Sequence, residues 1–465
     1  PWYDWLLMAA SVICAAYIVV FLDDLQIRAG ALYTPADVAV GLIGTALVME
    51  LARRLAGMAL MIIAGVFLLY AFVGPWMPGV LYHKGFNVGF IFSYIFSEYG
   101  IFGVTLEVSS TFIIMFTAFA AFLTKSKAGD YFNDLSVALV GWARGGPAKV
   151  AVVSGILFGS ISGSSVANVV ASGSVTIPMM RKVGYDRATA GAIEATSSTG
   201  GQITPPVMGA GAFIMAEVTG IPYGTIALAA VIPCLLFYIA CYAHCDLHAV
   251  RNGLRGVPRN ELPALGPLMK QLYLLAPIIV LVTAFVMGYS GFRAAMLGMM
   301  AAVVVSWLDS RFRMGPRAIL DSLEMAARDC MQLVAVCAAA GIIVGIIALT
   351  GVGGRFSSLV LAIAGESQIM ALLFTMIVVT ILGMGMPTTA AYAIAAAVVA
   401  PGLVRMGIEP LVAHMFIFYY AVMSAITPPV AVASFAAASM AQADPWRTSW
   451  IAVKLGLATF IVPFM

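Results

Sequence analysis

Apolar residues occupy this chain in long blocks, separated by short segments that carry most of the charge. Residues 7–22, 36–52 and 56–74 are the first three blocks, each long enough to read as a membrane-crossing helix. Arg53-Arg54 closes the second, and basic residues collect on the cytoplasmic side, so the loop Gly74–Asn87, with Lys84 alone, faces outside. Residues 88–98 are too short to cross and too aromatic for a plain loop, which predicts an interfacial helix. A span over 100–123 returns the chain to a cytoplasmic loop with Lys125, Lys127, Arg144 and Lys149. Further on, span 224–246 leads to a cytoplasmic loop with Arg251, Arg255, Arg259 and Lys270. Then 272–289 and 294–309 form a helical pair, followed by cytoplasmic Arg311, Arg313 and Arg317. An amphipathic lead-in over 319–329 precedes span 330–350, whose far loop holds Arg355 alone, and a last span, 449–465, follows Arg447.

Four blocks break this pattern. Gly159-Ser160-Ile161-Ser162-Gly163-Ser164-Ser165-Val166-Ala167-Asn168 is a run of small and polar residues inside the apolar block 150–180. Irregular backbone survives at membrane depth only where protein buries it or a wet cavity solvates it. Lys149 precedes this block and Arg181, Lys182 and Arg187 follow it, so both flanks are cytoplasmic. Each arm is about 15–22 Å of helix against a hydrocarbon core of ~30 Å, which predicts a re-entrant hairpin. Residues 188–218 are interrupted by Ser197-Ser198-Thr199-Gly200-Gly201 and Pro205-Pro206, which predicts a broken helix. Residues 369–402 repeat the hairpin pattern around Gly383-Met384-Gly385-Met386-Pro387-Thr388-Thr389, with basic-poor flanks that place its entry outside. Residues 411–441 repeat the break at Ser424-Ala425-Ile426-Thr427-Pro428-Pro429.

The two halves align. Thr204-Pro205-Pro206 and Thr427-Pro428-Pro429 are 427 − 204 = 223 positions apart, and Gly184 with Gly407, and Pro222-Tyr223 with Pro445-Trp446, share that offset. One copy enters from the basic side and the other from the basic-poor side, as in an inverted-topology repeat with its sites where hairpin tips meet broken helices. Chance Pro-Pro pairs predict neither the spacing nor the opposite charge.

Composition narrows the class. With 62% hydrophobic residues, mean hydropathy +1.02 and 10% charged residues, the chain is a polytopic all-α membrane protein rather than an ordinary soluble enzyme. The six Cys form no disulfide framework and no Walker A motif is present, so this chain is not read as an ATPase. The net charge of +3 says little about partners, and no nucleic-acid partner is expected. The chain begins at Pro1 and its last apolar block stops at Met465. Both ends are expected to be trimmed, and 7–22 is not read as a signal peptide.

Gly159–Ser165, Gly184-Tyr185, the Thr-Pro-Pro pair and Gly383-Met384-Gly385-Met386 resemble the large membrane subunit of tripartite ATP-independent periplasmic (TRAP) transporters, from about residue 100 onward. Gly200-Gly201-Gln202-Ile203-Thr204-Pro205-Pro206-Val207-Met208-Gly209 and Phe213-Ile214-Met215-Ala216-Glu217 resemble the TAXI branch, in which small and large subunits are fused. Residues 1–74 then look like part of the small subunit, with fewer spans than the family's usual four. The resemblance implies a symporter in the bacterial or archaeal cytoplasmic membrane that receives small organic acids from a periplasmic TAXI-type solute-binding protein. It also implies an elevator-type transporter, whose hairpins and broken helices slide against a fixed scaffold. The expected division is 1–99 for small-subunit-like spans and interfacial helix, and 100–149 for a scaffold span and loop. The first repeat follows at 150–246, scaffold helices at 247–368 and the second repeat at 369–465.

Half-helix N-termini suit a carboxylate, while exposed carbonyls and hydroxyls give hard oxygen ligands for a small cation. The first half-site is read as Ser162, Gly163, Ser164, Ser165, Asn168, Thr199, Gly200, Gly201 and Thr204. The second is Gly383, Met386, Pro387, Thr388, Thr389, Ser424 and Thr427, with fewer hydroxyls. The small residues also suit plain helix packing. Na⁺ is the favoured coupling ion, in line with the resemblance. Glu194, one turn before Ser197, makes H⁺ the alternative, unless it lies close enough to the cytoplasmic end to be solvated. No organic cofactor is expected, and Glu217 reads as structural. Cys241, His244, Cys245 and His248 share a helical face, which suits end-of-helix packing better than zinc. An intramembrane hydrolase is set aside, since no paired Asp occurs mid-span and all four His fall near predicted span ends or surfaces. A stand-alone symporter without a binding protein remains the nearer alternative.

Overall fold

The structure, a computed structural model, describes residues 2–28, 32–309, 313–365 and 367–465. Arg311 lies outside the described residues. Helices account for the regular structure among the described residues, and seven of them are long and apolar enough to cross a membrane. These include Tyr3–Val20, Pro35–Leu55, Val104–Lys125, Tyr223–Asn252 and Pro316–Thr350. Between Met58–Val73 and Val104–Lys125 lies the short helix Val88–Ile95, capped by the Asn87 side chain. Phe86, Phe90, Tyr94 and Tyr99 stack along it at 5.4–6.1 Å between successive rings.

Both hairpins form. Helices Gly146–Ser162 and Ser165–Lys182 pack together across the turn at Gly163 (φ +55°) and Ser164. Gln368–Gly383 and Thr388–Arg405 do the same across Met384–Pro387. Both long helices break as well. Arg187–Gly200 gives way to a single 3₁₀ turn, Gly201–Ile203, before helix resumes at Gly211–Thr219. Pro410–Met423, the turn Ser424–Ile426 and Val432–Ala441 follow the same plan. The bounds of the second hairpin arms, the first half-helices and the 3₁₀ turns all keep the 223-residue offset. The Pro205-Pro206 and Pro428-Pro429 bonds are both cis.

The repeat reaches further than the polar breaks indicate. The segment expected as a cytoplasmic loop after Lys125 contains the helix Ala128–Val140, and the expected far loop at Arg355 is the helix Val352–Ala364. Each packs on its neighbouring hairpin, through Ser154 Oγ donating to Asn133 Oδ1 at 2.9 Å and Ser357 Oγ donating to the Val398 carbonyl at 2.9 Å. Tyr131, Phe132, Leu135 and Ala138 recur at helical spacing and are buried, an amphipathic face that flanking charge obscures in the sequence. Lys149 is likewise no loop residue. It is buried in the first hairpin arm, where Nζ donates to Asp246 Oδ1 at 2.6 Å and lies 4.8 Å from the Tyr242 ring centroid. Arg144 binds the other oxygen of Asp246.

Two further expectations change. The lead-in 319–329 and span 330–350 are one helix, Pro316–Thr350. The last span ends early: helix Pro445–Leu455 takes in Arg447 and gives way to turns. There the Tyr419 and Tyr420 hydroxyls take the Thr459 and Phe460 carbonyls, at 2.8 and 2.5 Å.

Packing between repeats is reciprocal. Arg187–Gly200 lies on Val432–Ala441, and Pro410–Met423 on Gly211–Thr219. Ser165–Lys182 also meets Val432–Ala441, and Thr388–Arg405 meets Gly211–Thr219. Contacts exchanged in this manner mark a two-fold relation. On the side of the first repeat an aromatic layer joins this assembly to neighbouring helices: Phe213 and Tyr223 stack with Phe112, Phe116 and Phe285.

Close approach of the first hairpin demands glycine, because a Cβ at Gly155 would meet the Ser197 carbonyl oxygen at 2.8 Å and one at Gly159 would meet Gly201 Cα. Gly155→Val and Gly159→Val are each expected to destabilise the fold by about 1–3 kcal/mol through overpacking. The check is thermal stability of detergent-solubilised protein by size exclusion, with Gly354→Ala, which faces open space, melting as wild type does.

Candidate functional site

Each hairpin tip sits on the broken helix of its own repeat. In the first, Gly159 faces Gly201, Gly163 faces Met208 and Gly209, and Asn168 Nδ2 donates to the Ser198 carbonyl at 3.4 Å. In the second, Gly383 faces Ser424, and Gly385 N–H donates to the Val430 carbonyl at 3.2 Å. The two breaks also touch: Arg187–Gly200 contacts Ser424–Ile426, and Pro410–Met423 contacts Gly201–Ile203. The structure therefore gathers the expected residues into two tip-on-break clusters joined through their breaks.

Within the first cluster Ser165, Asn168, Thr199, Gly200, Gly201 and Thr204 are buried, Ser162 and Gly163 are half-buried, and Ser164 is exposed while capping the second arm. Thr199 donates to the Ala195 carbonyl at 2.7 Å and Thr204 to that of Gly200 at 2.9 Å. These hydroxyl protons are spent on the ladder, which leaves oxygen lone pairs as the groups on offer. Asn168 is fully buried, and its Oδ1 has no hydrogen-bond partner among the described residues. Buried side-chain oxygens are ordinarily paired, so this carbonyl oxygen beside a helix break stands out as a free acceptor.

In the second cluster Gly383, Met386, Thr389 and Ser424 are buried, while Pro387, Thr388 and Thr427 are half-buried. Ser424 donates to the Ala421 carbonyl at 2.7 Å and Thr427 to that of Met423 at 2.9 Å.

Glu194 is fully buried, which removes the solvated alternative. Its carboxyl group is held by Ser172 Oγ at 2.5 Å, by Thr176 Oγ1 and by Ser198 Oγ at 2.9 Å. Ser172 Oγ also contacts the Asn168 carbonyl at 2.8 Å, which ties the Glu194 cage to the hairpin tip. The sequence reading passes over Ser172 and Thr176. Both lie on one face of the second hairpin arm at a four-residue spacing that continues from Asn168, and that spacing is the signal that finds them. The 223-residue offset shows that the cage belongs to one repeat only. Asn168, Ser172, Thr176, Glu194 and Ser198 correspond to Ala391, Ala395, Val399, Ile417 and Ala421.

Elsewhere, His414 lies near the start of the half-helix Pro410–Met423, as expected of a histidine near a span end. It is buried, 2.8 Å from the Tyr392 hydroxyl through Nδ1, and joins the second hairpin to the second broken helix. His83 is buried as well, its Nε2 3.0 Å from the Tyr70 carbonyl. Cys241 and Cys245 are buried and His248 stacks on Tyr185. Among the described residues no three His, Cys, Asp or Glu side chains come together as a metal site. Glu217 is exposed.

Comparison with known proteins places this arrangement. The family model described as "Tripartite ATP-independent periplasmic transporter, DctM component" matches residues 43–465. The C4-dicarboxylate TRAP transporter large permease protein DctM of Pseudomonas aeruginosa is 28% identical over 70% of this chain and 75% of its own length. The isethionate TRAP transporter permease protein DctMQ of Oleidesulfovibrio alaskensis is 24% identical over 74% of this chain, which spans 54% of that relative. The ectoine TRAP transporter large permease protein TeaC of Halomonas elongata is 31% identical over 31% of this chain and 33% of its own length. In fold the chain resembles the crystal structure of the Alcanivorax borkumensis YdaH transporter, with a TM-score of 0.59, 14% identity, and 87% of this chain and 95% of the other covered. The family match takes in both hairpins and both breaks, and the chain belongs to the DctM component of the tripartite ATP-independent periplasmic transporters, as a multi-pass protein of the cytoplasmic membrane.

Proposed function

We propose that this chain is the permease of a TAXI-type system, importing small organic acids handed over by a periplasmic solute-binding protein and driven by an ion gradient through an elevator movement. The family's description supplies the coarse part, ATP-independent transport by a tripartite assembly. The observation that supports the rest is the doubled tip-on-break cluster, in which two hairpins and two broken helices share one reciprocal contact surface. Helix breaks present N–H groups at the starts Gly211 and Val432 and carbonyls at the ends Gly200 and Met423, a suitable pairing of donors for a carboxylate and acceptors for a cation. Acidic substrates are in keeping with the C4-dicarboxylate and isethionate named for relatives. The TAXI assignment rests on the Gly200–Gly209 and Phe213–Glu217 text.

The hairpins are re-entrant in this reading, the first from the cytoplasm and the second from the periplasm, because Lys149, Arg181 and Lys182 flank the first and Arg355 and Arg405 alone flank the second. The hairpins and breaks, 150–246 and 369–465, then form the moving part, and 100–149 with 247–368 the scaffold. The aromatic layer of Phe112, Phe116 and Phe285 against Phe213 and Tyr223 is one part of the surface between them, beside the contacts of Ala128–Val140 and Val352–Ala364 with the hairpins. Na⁺ is favoured for coupling, held by Asn168 Oδ1 with the carbonyls and hydroxyls of Ser162–Ser165 and Thr199–Gly201. Its charge would also draw a carboxylate to the same cluster. Glu194 in its cage of three hydroxyls keeps H⁺ as the alternative carrier.

Reconstituted in proteoliposomes, the protein is expected to take up substrate only with added binding protein and an imposed Na⁺ gradient. Asn168→Ala should raise the Na⁺ concentration for half-maximal uptake about tenfold, the loss of one charge-assisted contact. Uptake driven by pH alone and abolished by Glu194→Gln would transfer the coupling role to Glu194. Uptake without a binding protein would favour a stand-alone symporter.

The six native cysteines are all buried, so an introduced thiol reports its own exposure. Cysteine at Ser164 is expected to react with an impermeant reagent from the cytoplasm when the protein faces inward, and cysteine at Thr388 from the periplasm when it faces outward. Reaction of both from one side only would contradict opposite entry of the hairpins.

A further inference from the structure

A cavity of about 260 Å³, with no residue of either hairpin tip in its wall, lies between Tyr3–Val20, the short helix Leu22–Arg28, the start of Pro35–Leu55 and the end of Val88–Ile95. Most of its wall precedes residue 43, where the family match begins. The bottom is a built ionic arrangement. Asp37, with 3% of its side chain exposed, accepts from the Tyr17 hydroxyl and from the Thr34 amide, both at 2.7 Å. Arg28 Nη2 stands 3.5 Å from Asp37 Oδ1, and this buried nitrogen has no hydrogen-bond partner among the described residues. Asp37 thus anchors the guanidinium while its own oxygens are engaged elsewhere, and Arg28 keeps donors in hand beside the cavity. A guanidinium with spare donors suits a phosphate, which it binds through two parallel hydrogen bonds.

The rest of the wall defines what must accompany that anion. Glu98, an exposed carboxylate on the same wall, makes no ion pair among the described residues and offers a cation a partner at the cavity's edge. A dianionic solute is disfavoured there by like-charge repulsion. Ile18, Leu22, Phe96 and Phe102 supply an apolar side, of which Leu22 (49% exposed) and Phe102 (38%) stand open at the surface. Tyr33 on the same wall, with Tyr94 and Tyr99 of the adjoining aromatic stack, is the residue type that gathers at a membrane surface. Arg53-Arg54 at the opposite end of Pro35–Leu55 makes that surface the outer one.

We propose that this cavity binds a zwitterionic aminophospholipid of the outer leaflet, with Arg28 taking the phosphate, Glu98 the ammonium, and Ile18, Leu22 and Phe102 the upper part of an acyl chain. The bound lipid fills the gap between the first helix and Pro35–Leu55 and covers the exposed apolar lip.

The test is native mass spectrometry of the full chain, stripped of lipid in detergent, with added phosphatidylethanolamine, phosphatidylglycerol and water-soluble phosphoethanolamine. The wild type is expected to retain phosphatidylethanolamine in preference to phosphatidylglycerol, with phosphoethanolamine failing to displace it at equal concentration. Arg28→Gln should weaken phosphatidylethanolamine about tenfold, one charge-assisted interaction. Glu98→Gln should remove the preference for the amine while leaving phosphatidylglycerol binding in place. Leu25→Trp, which fills the cavity and leaves both charged side chains in place, should abolish retention even if Arg28→Gln fails to fold. Unchanged retention in Leu25→Trp, equal binding of the two lipids by the wild type, or full competition by phosphoethanolamine would each overturn the proposal.

Discussion

A helix that stops inside a membrane leaves amide and carbonyl groups with no water to bind, and this constraint organises the protein. Both breaks are answered in the same way, by laying the tip of a hairpin directly on the exposed backbone. The fit requires bare backbone on the hairpin side: Gly155 against Ser197, Gly159 against Gly201, Gly383 against Ser424. Close seating covers the broken ladder while leaving Asn168 Oδ1 without a hydrogen-bond partner among the described residues. The same packing that makes the break tolerable thus leaves an acceptor where the proposed cation would sit.

Duplication supplies the frame and divergence the chemistry. Half-helices, turns and hairpin arms keep one spacing in both halves, and contacts between halves are exchanged pairwise. Yet Glu194 and the hydroxyls around it face a second repeat that offers Ile417, Ala395, Val399 and Ala421 at the matching positions. A buried carboxyl group needs partners at every oxygen, so the whole set has to be present together or absent together. The second repeat instead carries the His414–Tyr392 contact, matched in the first by Gly191 and Val169.

Hairpins and breaks were legible because small, hydroxylated and proline-rich runs stand out against apolar blocks, and their pairing followed from spacing. Ala128–Val140 was hidden because Lys125, Lys127, Asp130 and Asp134 look like a solvated loop, although Tyr131, Phe132 and Leu135 carry a buried face. Lys149 was misplaced for a related reason. Charge in a sequence reads as solvent exposure, and its partner Asp246 lies 97 residues away. The last apolar block reads as a span, but its helix stops at Gly456, and the turns beyond it give their Thr459 and Phe460 carbonyls to Tyr419 and Tyr420. Of the candidate site, the residue types were visible; which oxygens are spent on neighbouring carbonyls and which stay free was set by packing between distant segments.

If the hairpins and breaks move as one body, the boundary that must slide includes the aromatic layer, where Phe112 and Phe213 stack with ring centroids 5.8 Å apart. Contacts within the body, such as Gly191 against Ala437, must hold throughout. The direct measurement is uptake by two double-cysteine variants in a cysteine-free background, each closed by a short bifunctional thiol reagent. Cross-linking Phe112→Cys to Phe213→Cys is expected to stop uptake, reversibly with a cleavable reagent, while cross-linking Gly191→Cys to Ala437→Cys leaves it running. Undiminished uptake with Phe112→Cys and Phe213→Cys joined would contradict a sliding transport body.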